Sequence, residues 1–520
     1  MTDTDVLIVG AGPTGLVLAL SLARQGIGFR IIERSSGPGQ ASRAIVVHAR
    51  VLEFYRQLGI AEEVVTRGVK VDTIRMREGG RERARLDLKD MGRGLSAYPF
   101  ALSFPQDDHE RFLVEQLAAV GVAVEWGVAL IEFTQDETRV TAILDAGGAR
   151  ETVRAGYVCG CDGGHSVVRT GLGIEFPGGT YNQRFYVADV AVAGERNDDL
   201  TGNLAGDAFG LMLPVRSSGT RRLIGLLPPA AAEAPPPGFE AIRPAVERLM
   251  GIRVEAVNWY STYQVHHRVA ARFRVGRCFL LGDAGHVHSP AGGQGMNTGI
   301  GDAINLAWKL AQTVNGRINP AVLDTYETER IAFARTLVAT TDRAFQALVG
   351  AGLGGRLVRT LLAPRILAIA TRFAAVRRAA FKAISQIRIH YRMSALSEGV
   401  VGPVRGGDRL PWVADATGEA DNYAPLQTLD WQAHVYGKIS DGLAAALGEA
   451  GLPLHAFAWS AGARAAGLTR DALYLVRPDG HVALAARDPD ERTINGYLAR
   501  IGLTRPSLPQ RSDRTPAARL

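Results

Sequence analysis

The sequence predicts an α/β protein in which a parallel sheet carries an inserted, mainly antiparallel sheet and is followed by a small C-terminal unit. Three observations predict this arrangement. A strand, a helix and a second strand follow one another within the first 33 residues, short alternating strands fill residues 177–265, and a buried strand at residues 278–281 returns to the first pattern. A chain of 520 residues is long enough for two to four domains.

The N-terminal unit is predicted as a strand at residues 5–9, a tight turn at residues 10–15, a helix at residues 16–25 and a strand at residues 29–33. Residues 6–23 also form an uncharged, mostly apolar run about as long as a membrane span. Two aspartates precede this run, where a signal peptide has basic residues, and glycines and a proline interrupt it. We therefore expect a buried strand, turn and helix here.

The remaining elements follow from periodicity and from the turn residues between them. Helices are expected at residues 51–58, 110–119, 301–314, 321–347 and 356–389, the last divided by Pro364. Strands are expected at residues 71–88 (a strand or hairpin), 123–126, 140–144, 151–161, 185–192, 209–213, 221–227 and 278–281.

Glycines and prolines between residues 396 and 411 predict a linker to the C-terminal unit, in which two strands cross a Pro478-Asp479-Gly480 turn. The predicted domains are residues 1–72, 104–176 and 268–395 for the nucleotide-binding domain with its long helical segment; residues 73–103 and 177–267 for the inserted domain; and residues 396–520 for the C-terminal domain.

Composition and charge favour an ordinary globular protein. The net charge of +7 is spread over 59 basic and 52 acidic residues, which favours neither nucleic-acid nor membrane binding. Three cysteines, Cys159, Cys161 and Cys278, are too few for a disulfide framework and suit a reducing cytoplasm. The C-x-C pair lacks redox or zinc spacing, so we expect small buried residues.

The turn after the first strand reads Gly10-Ala11-Gly12-Pro13-Thr14-Gly15, a G-x-G-x-x-G. Gly10 permits the tight turn, Gly12 lets the backbone approach a pyrophosphate, and Gly15 lets helix and strand pack closely. The helix start presents free N–H groups and a positive dipole end to the phosphates. Glu33 ends the second strand, where a carboxylate accepts hydrogen bonds from a ribose. Together these features predict nucleotide binding.

A second G-x-G-x-x-G at residues 350–355 has no such context. A helical pattern precedes it and no acid-tipped strand follows, so a helix–helix connection is the favoured interpretation.

Two further blocks complete a recognisable set. One is Cys161-Asp162-Gly163-Gly164-His165-Ser166-Val167-Val168-Arg169, and the other is Gly282-Asp283-Ala284-Gly285-His286 followed by residues 290–299 and by Asp302 on the next helix. In this order, the three blocks resemble the class A flavoprotein aromatic hydroxylases of the p-hydroxybenzoate hydroxylase type, in particular the phenol and aromatic-polyketide hydroxylases. The resemblance covers residues 4–395.

The resemblance implies a Rossmann-like FAD-binding domain with an inserted substrate domain. Residues 396–520 resemble the thioredoxin-like C-terminal domain of the same enzymes. This unit has no C-x-x-C, so the redox function is expected to be absent.

The resemblance also implies roles for the matching positions. The ADP half of FAD would be held by Gly10, Gly12, Pro13, Thr14, Gly15, Glu33 and Arg34. Arg43 and Arg50 would lie near the pyrophosphate or flavin, Gln106 near the ribityl region, and Asp162 would support both FAD and the nicotinamide cofactor. Asp283 would bond the ribityl chain, and the flavin ring would be lined by Pro290, Gly292, Gly293, Gln294, Gly295, Met296 and Asn297.

Simpler interpretations stay open for some of these residues. Asp162 and Asp283 could each cap a helix. His286 and His288 could suggest a metal pair, but no further ligands complete a site, and no metal is expected.

The activity implied by the resemblance is hydroxylation of a small phenolic or polycyclic aromatic substrate. NAD(P)H, a transient co-substrate, would reduce FAD, and molecular oxygen would add to form a flavin C4a-hydroperoxide that transfers oxygen to the ring. The substrate would lie between the flavin and the inserted sheet, near residues 209–213 and 223–227. No motif identifies the substrate-activating base, and either a monomer or a homodimer is expected.

Three other functions are weighed against this one. A disulfide reductase needs a cysteine pair beside the flavin and a second nucleotide domain, and the sequence indicates neither. A flavin halogenase needs a W-x-W-x-x-P signature, which is missing. An FAD-binding scaffold or sensor without hydroxylase activity remains the alternative, and it would show no substrate-stimulated NAD(P)H oxidation.

Overall fold

The computed structural model describes residues 2–39, 44–78, 81–194, 198–205, 208–216, 219–228, 238–289, 292–349, 373–415 and 420–504. Its strands are β1 (Thr2–Val9), β2 (Phe29–Glu33), β3 (Val46–Val47), β4 (Val69–Val71), β5 (Thr73–Glu78), β6 (Arg81–Asp87), β7 (Ala101–Ser103), β8 (Glu125–Trp126), β9 (Val128–Gln135), β10 (Val140–Ala146), β11 (Ala149–Gly160), β12 (Gly178–Val192), β13 (Leu200–Ala205), β14 (Ala208–Pro214), β15 (Arg221–Leu226), β16 (Val254–Val269), β17 (Arg274–Val275), β18 (Cys278–Leu280), β19 (His286–Val287), β20 (Val400–Val401), β21 (Val404–Arg405), β22 (Gln432–Tyr436), β23 (Leu454–Phe457), β24 (Leu473–Val476) and β25 (Val482–Ala486).

The α-helices are α1 (Pro13–Arg24), α2 (Ala49–Gln57), α3 (Ala61–Arg67), α4 (Leu88–Gly92), α5 (Gln106–Ala119), α6 (Val167–Gly171), α7 (Phe239–Met250), α8 (Gly295–Val314), α9 (Asp324–Val349), α10 (Ala374–Ile384), α11 (Asp441–Glu449), α12 (Ala461–Ala465) and α13 (Glu491–Ile501). Short 3₁₀ helices lie at Gly282–Ala284, Pro320–Leu323 and Ala424–Thr428.

The first sheet has the order β17-β18-β11-β1-β2-β8, and β10 pairs with both β11 and β9. Strand β1 runs parallel to β2 and β11 and is fully buried at residues 6–8. The predicted βαβ unit is therefore confirmed. Helix α1 begins at Pro13, three residues before the predicted start, because proline at the first helical position is already set for the helix. None of the described helices is both long and apolar enough to cross a membrane.

The second sheet has the order β19-β16-β12-β15-β14-β13-β5-β6. The predicted hairpin at residues 71–88 is present as β5 and β6, and β5 joins this sheet by a parallel pair with β13. Strand β7, which the sequence assigned to the inserted domain, pairs instead with β3 and β4 in a separate three-stranded sheet. Helix α7 covers one face of the large sheet, packing on alternate residues such as Leu223.

The C-terminal unit contains a four-stranded sheet with the order β23-β22-β24-β25. Strand β22 is parallel to β23 and antiparallel to β24, and the predicted hairpin of β24 and β25 is confirmed. The core of this unit is continuous with that of the first sheet, since Trp431 contacts Trp308 edge-to-face with ring centroids 5.6 Å apart.

The glycine-rich stretch at residues 396–411, which the sequence predicts as a linker, packs against β25. A Cβ on Gly399 would lie 2.1 Å from the carbonyl oxygen of Ala485, and one on Gly406 would lie 2.2 Å from the backbone nitrogen of Glu398. These glycines permit close backbone approach rather than flexibility. The second G-x-G-x-x-G at residues 350–355 and the predicted break at Pro364 lie outside the described residues.

Candidate functional site

The glycine-rich turn between β1 and α1 has the geometry that its sequence predicts. Gly10 has φ +106°, and a Cβ there would lie 2.4 Å from the carbonyl oxygen of Cys161. A Cβ on Gly15 would lie 2.0 Å from the carbonyl oxygen of Gly10. At Gly12, by contrast, an added Cβ would meet no described heavy atom within 4 Å. Gly10 and Gly15 are thus required by the fold itself, whereas Gly12 borders open space at the helix start.

Thr14 is the point at which three motifs converge. A Cβ on Gly282 would lie 2.7 Å from the Thr14 hydroxyl oxygen, and one on Gly299 would lie 2.3 Å from the same atom. The turn that contains Gly282 and the first turns of α8 therefore lie directly against the start of α1. Asp283, beside Gly282, is exposed at this junction.

The carboxylate of Asp162 has two differently placed oxygens. Its Oδ2 accepts hydrogen bonds from the backbone N–H groups of Val167 (2.7 Å) and Val168 (3.1 Å), which is the helix-capping role weighed above. Its Oδ1 is buried and has no hydrogen-bond partner in the part of the chain that the structure describes. Arg169 joins this block to the next one, because it donates to the carbonyl oxygens of Gly164 (2.8 Å) and Ala284 (2.9 Å).

The loop expected to line the flavin ring is held from both sides. Gly292 and Gly293 have φ +79° and +62°, a conformation that favours glycine. The Asn297 side chain donates to the carbonyl oxygens of Val46 and Gly293 (both 2.8 Å), and its Oδ1 accepts from the backbone N–H of His48 (2.8 Å). The loop is therefore fixed against β3, and it leads into the start of α8.

Helix α8 begins at Gly295 with no side chain capping its free N–H groups. Gln294, at the N-cap, turns its side chain toward the segment after α10, where its Oε1 accepts a 2.6 Å hydrogen bond from Gln386. Met296 is half-buried against the main core. A helix start with uncapped N–H groups stabilises nearby negative charge.

The sequence-predicted residues of the first βαβ unit and α5 are placed as follows. Glu33 Oε2 accepts a 2.9 Å hydrogen bond from the backbone N–H of Ala11, so the carboxylate lies at the glycine-rich turn, and Arg34 beside it is exposed. Gln106 accepts from the backbone N–H of Ala44 (3.3 Å) and donates to Glu110 (2.8 Å).

Arg50 is placed away from this group. Arg50 is buried, and its guanidinium donates to Glu53 (3.0 Å) and to the carbonyl oxygen of Asp479 (2.8 Å) in the C-terminal unit. The expected contact of Arg50 with the cofactor therefore has no support from its placement. Arg43 and Pro290 lie outside the described residues.

An anionic dinucleotide fits the residues that converge here. Gly12 borders open space, two helix starts are uncapped, and Glu33 can accept from a ribose. Buried polar atoms without a partner among the described residues are grouped in the same motifs: Asp162 Oδ1, His288 Nε2 and Ser289 Oγ. Such atoms are rare in folded proteins unless a ligand, ion or water satisfies them.

Comparison with known proteins decides the family, because a family model described as an FAD-binding domain matches residues 3–341. The chain belongs to the FAD-binding domain family. Two relatives share much of its length: the 6-methylpretetramide 4-monooxygenase of Streptomyces rimosus is 36% identical over 76% of this chain and 71% of its own. The pentachlorophenol 4-monooxygenase of Sphingobium chlorophenolicum is 34% identical over 79% of this chain and 76% of its own.

The fold of this FAD-binding family member matches a solved structure over nearly its whole length. The flavin-dependent monooxygenase PieE, in complex with FAD and substrate, superposes with a TM-score of 0.80 at 25% identity, covering 96% of this chain and 99% of that chain. The prediction of a flavin-dependent aromatic monooxygenase that uses FAD and NAD(P)H is confirmed by these relatives. Within the described residues, no group of three potential ligands is arranged to hold a metal ion.

One part of this FAD site that sequence reasoning missed is a buried ion pair behind the motifs. Arg330 Nε donates to Asp302 Oδ1 (2.5 Å), and Oδ2 accepts from the backbone N–H of Gly282 (2.9 Å) and from His286 (2.8 Å). Arg330 also donates to the carbonyl oxygen of Thr298 (3.0 Å). Burial opposes ionisation of Asp302, but Arg330 and His286 hold its pKa below the usual value. The pair therefore ties the Gly282 turn to the first turns of α8.

The second omission is a buried ion pair on the inserted sheet. Arg222 donates through Nε and one terminal nitrogen to both oxygens of Asp189 (each 2.7 Å), and the Arg222 side chain is fully buried. Since Arg222 and Ile224 alternate with Leu223, they share the face opposite α7. The sequence did contain a signal for this pair. Asp189 and Arg222 are charged residues inside otherwise apolar strands, and such residues are seldom buried without a partner.

His48 is expected to make the stability of the protein depend on pH. Burial lowers the pKa of His48 to about 4, although hydrogen bonds to the carbonyl groups of Gly292 and Gly293 oppose the shift. An unfolded histidine titrates near pH 6.5, so protons favour the unfolded chain between about pH 6.5 and 4, and stability present at pH 7.5 decreases through this range. From His48 alone, we expect the free energy of unfolding to be about 2 kcal/mol lower at pH 5 than at pH 7.5.

This expectation is checked by thermal unfolding of the FAD-loaded protein at pH 7.5 and pH 5. His48→Gln keeps a donor for Gly292 but does not titrate, so it should narrow the difference between the two midpoints. The exposed His266→Gln is the matched control and should leave the difference unchanged. An equal pH dependence in all three proteins would contradict the role of His48.

Proposed function

We propose that this FAD-dependent aromatic monooxygenase hydroxylates a phenol or a polycyclic phenol, using NAD(P)H and molecular oxygen. The observation that carries the proposal is an apolar cluster between the flavin-lining loop and the inserted sheet. Ile45, Leu213 and Val215 are buried in it, and Val46 and Ile224 pack against them. The two relatives described above are, by name, 4-monooxygenases of 6-methylpretetramide and of pentachlorophenol, and the second name supports a phenolic substrate.

The cluster lies where a flat substrate would meet the flavin. Val46 is directly beside the loop, because a Cβ on Gly293 would lie 3.0 Å from the Val46 Cβ. Leu211, opposite Ile224 in the sheet, extends the same apolar surface. A mostly apolar wall with few polar groups suits an aromatic ligand and excludes water. Arg222 and Asp189 form a paired polar group on this sheet face.

We assign the cofactor contacts to the motif residues whose geometry fits them. Gly12 and the start of α1 would face the pyrophosphate, Glu33 the ribose, and the start of α8 the pyrimidine edge of the flavin. When bound, FAD supplies the redox chemistry, accepting two electrons from NAD(P)H and activating oxygen. The N–H groups at the start of α8 stabilise negative charge on the reduced ring by about 0.3–1 kcal/mol, or more when partly buried.

We further propose that the C-terminal unit is thioredoxin-like in fold but has no redox role. Its sheet order, with a parallel β22–β23 pair and an antiparallel β24–β25 hairpin followed by α13, supports that fold. The three cysteines of the chain all lie in the FAD-binding part and are free and buried. Free thiols of this kind are compatible with a reducing cytoplasm.

The proposed activity is tested by NAD(P)H oxidation in the presence of phenols with one to four rings. We expect at least one phenol to accelerate oxidation tenfold or more and to yield a product heavier by one oxygen atom. If no aromatic accelerates NADH or NADPH loss, the protein is the FAD-binding scaffold or sensor described as the alternative.

A variant of the apolar wall tests the location of the substrate. Leu211→Asn keeps the branched shape of the side chain but replaces its two methyl groups by an amide beside the ring, where the amide loses hydrogen bonds to water. We expect kcat/KM for the accelerating phenol to fall about tenfold or more while FAD content stays unchanged. Ile131→Asn, on the exposed part of β9, is the matched control and should behave as the parent protein.

A further inference from the structure

A strongly basic cavity of about 370 Å³ lies between the end of α10, the segment that follows it and the C-terminal unit. One acidic residue, Asp408, lines it. The six basic residues that line it are Arg378, Lys382, Arg388, His390, Arg392 and Arg409. The cavity does not include any of the flavin-binding motifs, so its charge needs a separate explanation.

Two of the lining arginines are already neutralised. Arg392 forms a two-point ion pair with Asp408 (2.6 and 3.1 Å), and Arg409 forms one with the buried Glu53 (2.9 and 2.5 Å). Asp408 and Glu53 are therefore each paired with an arginine of the cavity.

Lys382 and Arg388 have no carboxylate partner in the described ranges, and Arg378 donates only to the carbonyl oxygen of Arg93 (3.1 Å). Burial and the charges of Arg378, Arg409 and Arg388 lower the pKa of Lys382, so the local field is positive. The sequence from residue 350 to 372, which precedes α10, contains four arginines and neither aspartate nor glutamate. It therefore adds no negative charge from the neighbouring part of the chain.

We propose that this cavity binds a phosphate-bearing small molecule. Three exposed cations without a carboxylate partner line one cavity that is open to solvent, which matches a group with two or more negative charges better than a single carboxylate. Guanidinium groups also match the oxygen geometry of a phosphate. The half-buried Trp412 in the lining offers a flat apolar face for a base or ring attached to that phosphate.

The cavity is connected to the flavin-lining loop by one residue. Ile387 lines the cavity, and the preceding Gln386 is buried with φ +61°, a conformation rare for a residue other than glycine. The Gln386 side chain donates to Gln294 Oε1 (2.6 Å) and to the hydroxyl of Thr298 (3.1 Å). A ligand bound by Lys382 and Arg388 would therefore lie next to the segment whose Gln386 side chain holds this loop.

The test is calorimetric titration of the FAD-loaded protein with inorganic pyrophosphate, which needs no turnover and so stands apart from the proposed hydroxylation. We expect binding that weakens tenfold or more in Lys382→Gln/Arg388→Gln. Arg464→Gln removes an exposed cation of α12 that does not line the cavity, and it should bind as the parent does. No binding at millimolar pyrophosphate, or equal loss in both variants, would overturn the proposal.

The source of the phosphate is then distinguished by kinetics. If the ligand is the phosphate portion of NAD(P)H, KM for the dinucleotide rises with the pyrophosphate Kd in Lys382→Gln/Arg388→Gln. If it is a free nucleotide or phosphate, pyrophosphate binding is lost while that KM is unchanged. Each result supports a phosphate site and assigns its ligand.

Discussion

Gly12→Asp should be recovered folded but colourless. The Gly12 Cβ would meet no described atom within 4 Å, so the fold tolerates a side chain there. The same position lies at the start of α1, where the backbone is expected to approach the FAD pyrophosphate. A carboxylate in that space adds repulsion between like charges to the loss of close approach. We expect FAD content near zero after purification, measured from the ratio of flavin to protein absorbance.

Two companion variants separate cofactor loss from misfolding. Gly12→Ala should retain the thermal stability of the cofactor-free protein while its Kd for FAD rises tenfold or more. Gly15→Ala should instead destabilise the cofactor-free protein, because its Cβ would lie 2.0 Å from the Gly10 carbonyl oxygen. Gly442→Asp, at an exposed position in the first turn of α11, is the control for adding a carboxylate. Yellow Gly12→Asp with stoichiometric FAD would refute the assignment.

The contrast between these glycines shows what the sequence could predict. Gly10 needs a positive φ and Gly15 closely approaches the Gly10 carbonyl oxygen, and both demands arise within a few residues, so a short motif is enough to specify the turn of the βαβ unit. The elements that depend on the same local signals, such as the β5–β6 hairpin and the β24–β25 hairpin, were also predictable.

Contacts between distant residues could not be predicted in this way. Asp302 and Arg330 are 28 positions apart on two helices, and no periodicity distinguishes them from other charged residues. Arg50 lies within a family-like motif, yet its guanidinium bonds a residue 429 positions later. The glycines near residue 400 predict a linker, but composition does not show whether such a segment is loose or has two backbones packed closely together.

Buried ion pairs between distant residues also connect the C-terminal unit to the helices that follow the flavin-lining loop. Arg477 donates to both oxygens of Glu329 (2.8 and 3.0 Å), and Lys309 donates to Glu329 as well (2.8 Å). All three side chains are fully buried. Lys309 lies on α8 and Glu329 on α9, so Arg477 joins the C-terminal unit to an ion pair between the two helices that follow the flavin-lining loop. Without Arg477, Glu329 would have Lys309 as its one ionic partner in the described structure.

Arg477→Met should therefore be among the most destabilising single changes in the chain. Arg477 also donates to both oxygens of the buried Asp479 (3.2 and 2.5 Å), so its removal leaves the Asp479 carboxylate as an uncompensated buried charge, which costs about 3–5 kcal/mol. Arg477→Lys keeps the charge but not the two-point geometry, so it should lose less. Arg470→Met, at an exposed arginine whose side chain keeps 59% of its surface accessible, should change stability by less than about 0.5 kcal/mol. Urea unfolding followed by tryptophan and flavin fluorescence measures both stability and FAD release. If Arg477→Met unfolds at the same urea concentration as Arg470→Met, the C-terminal unit does not stabilise the flavin-binding helices through this charge cluster.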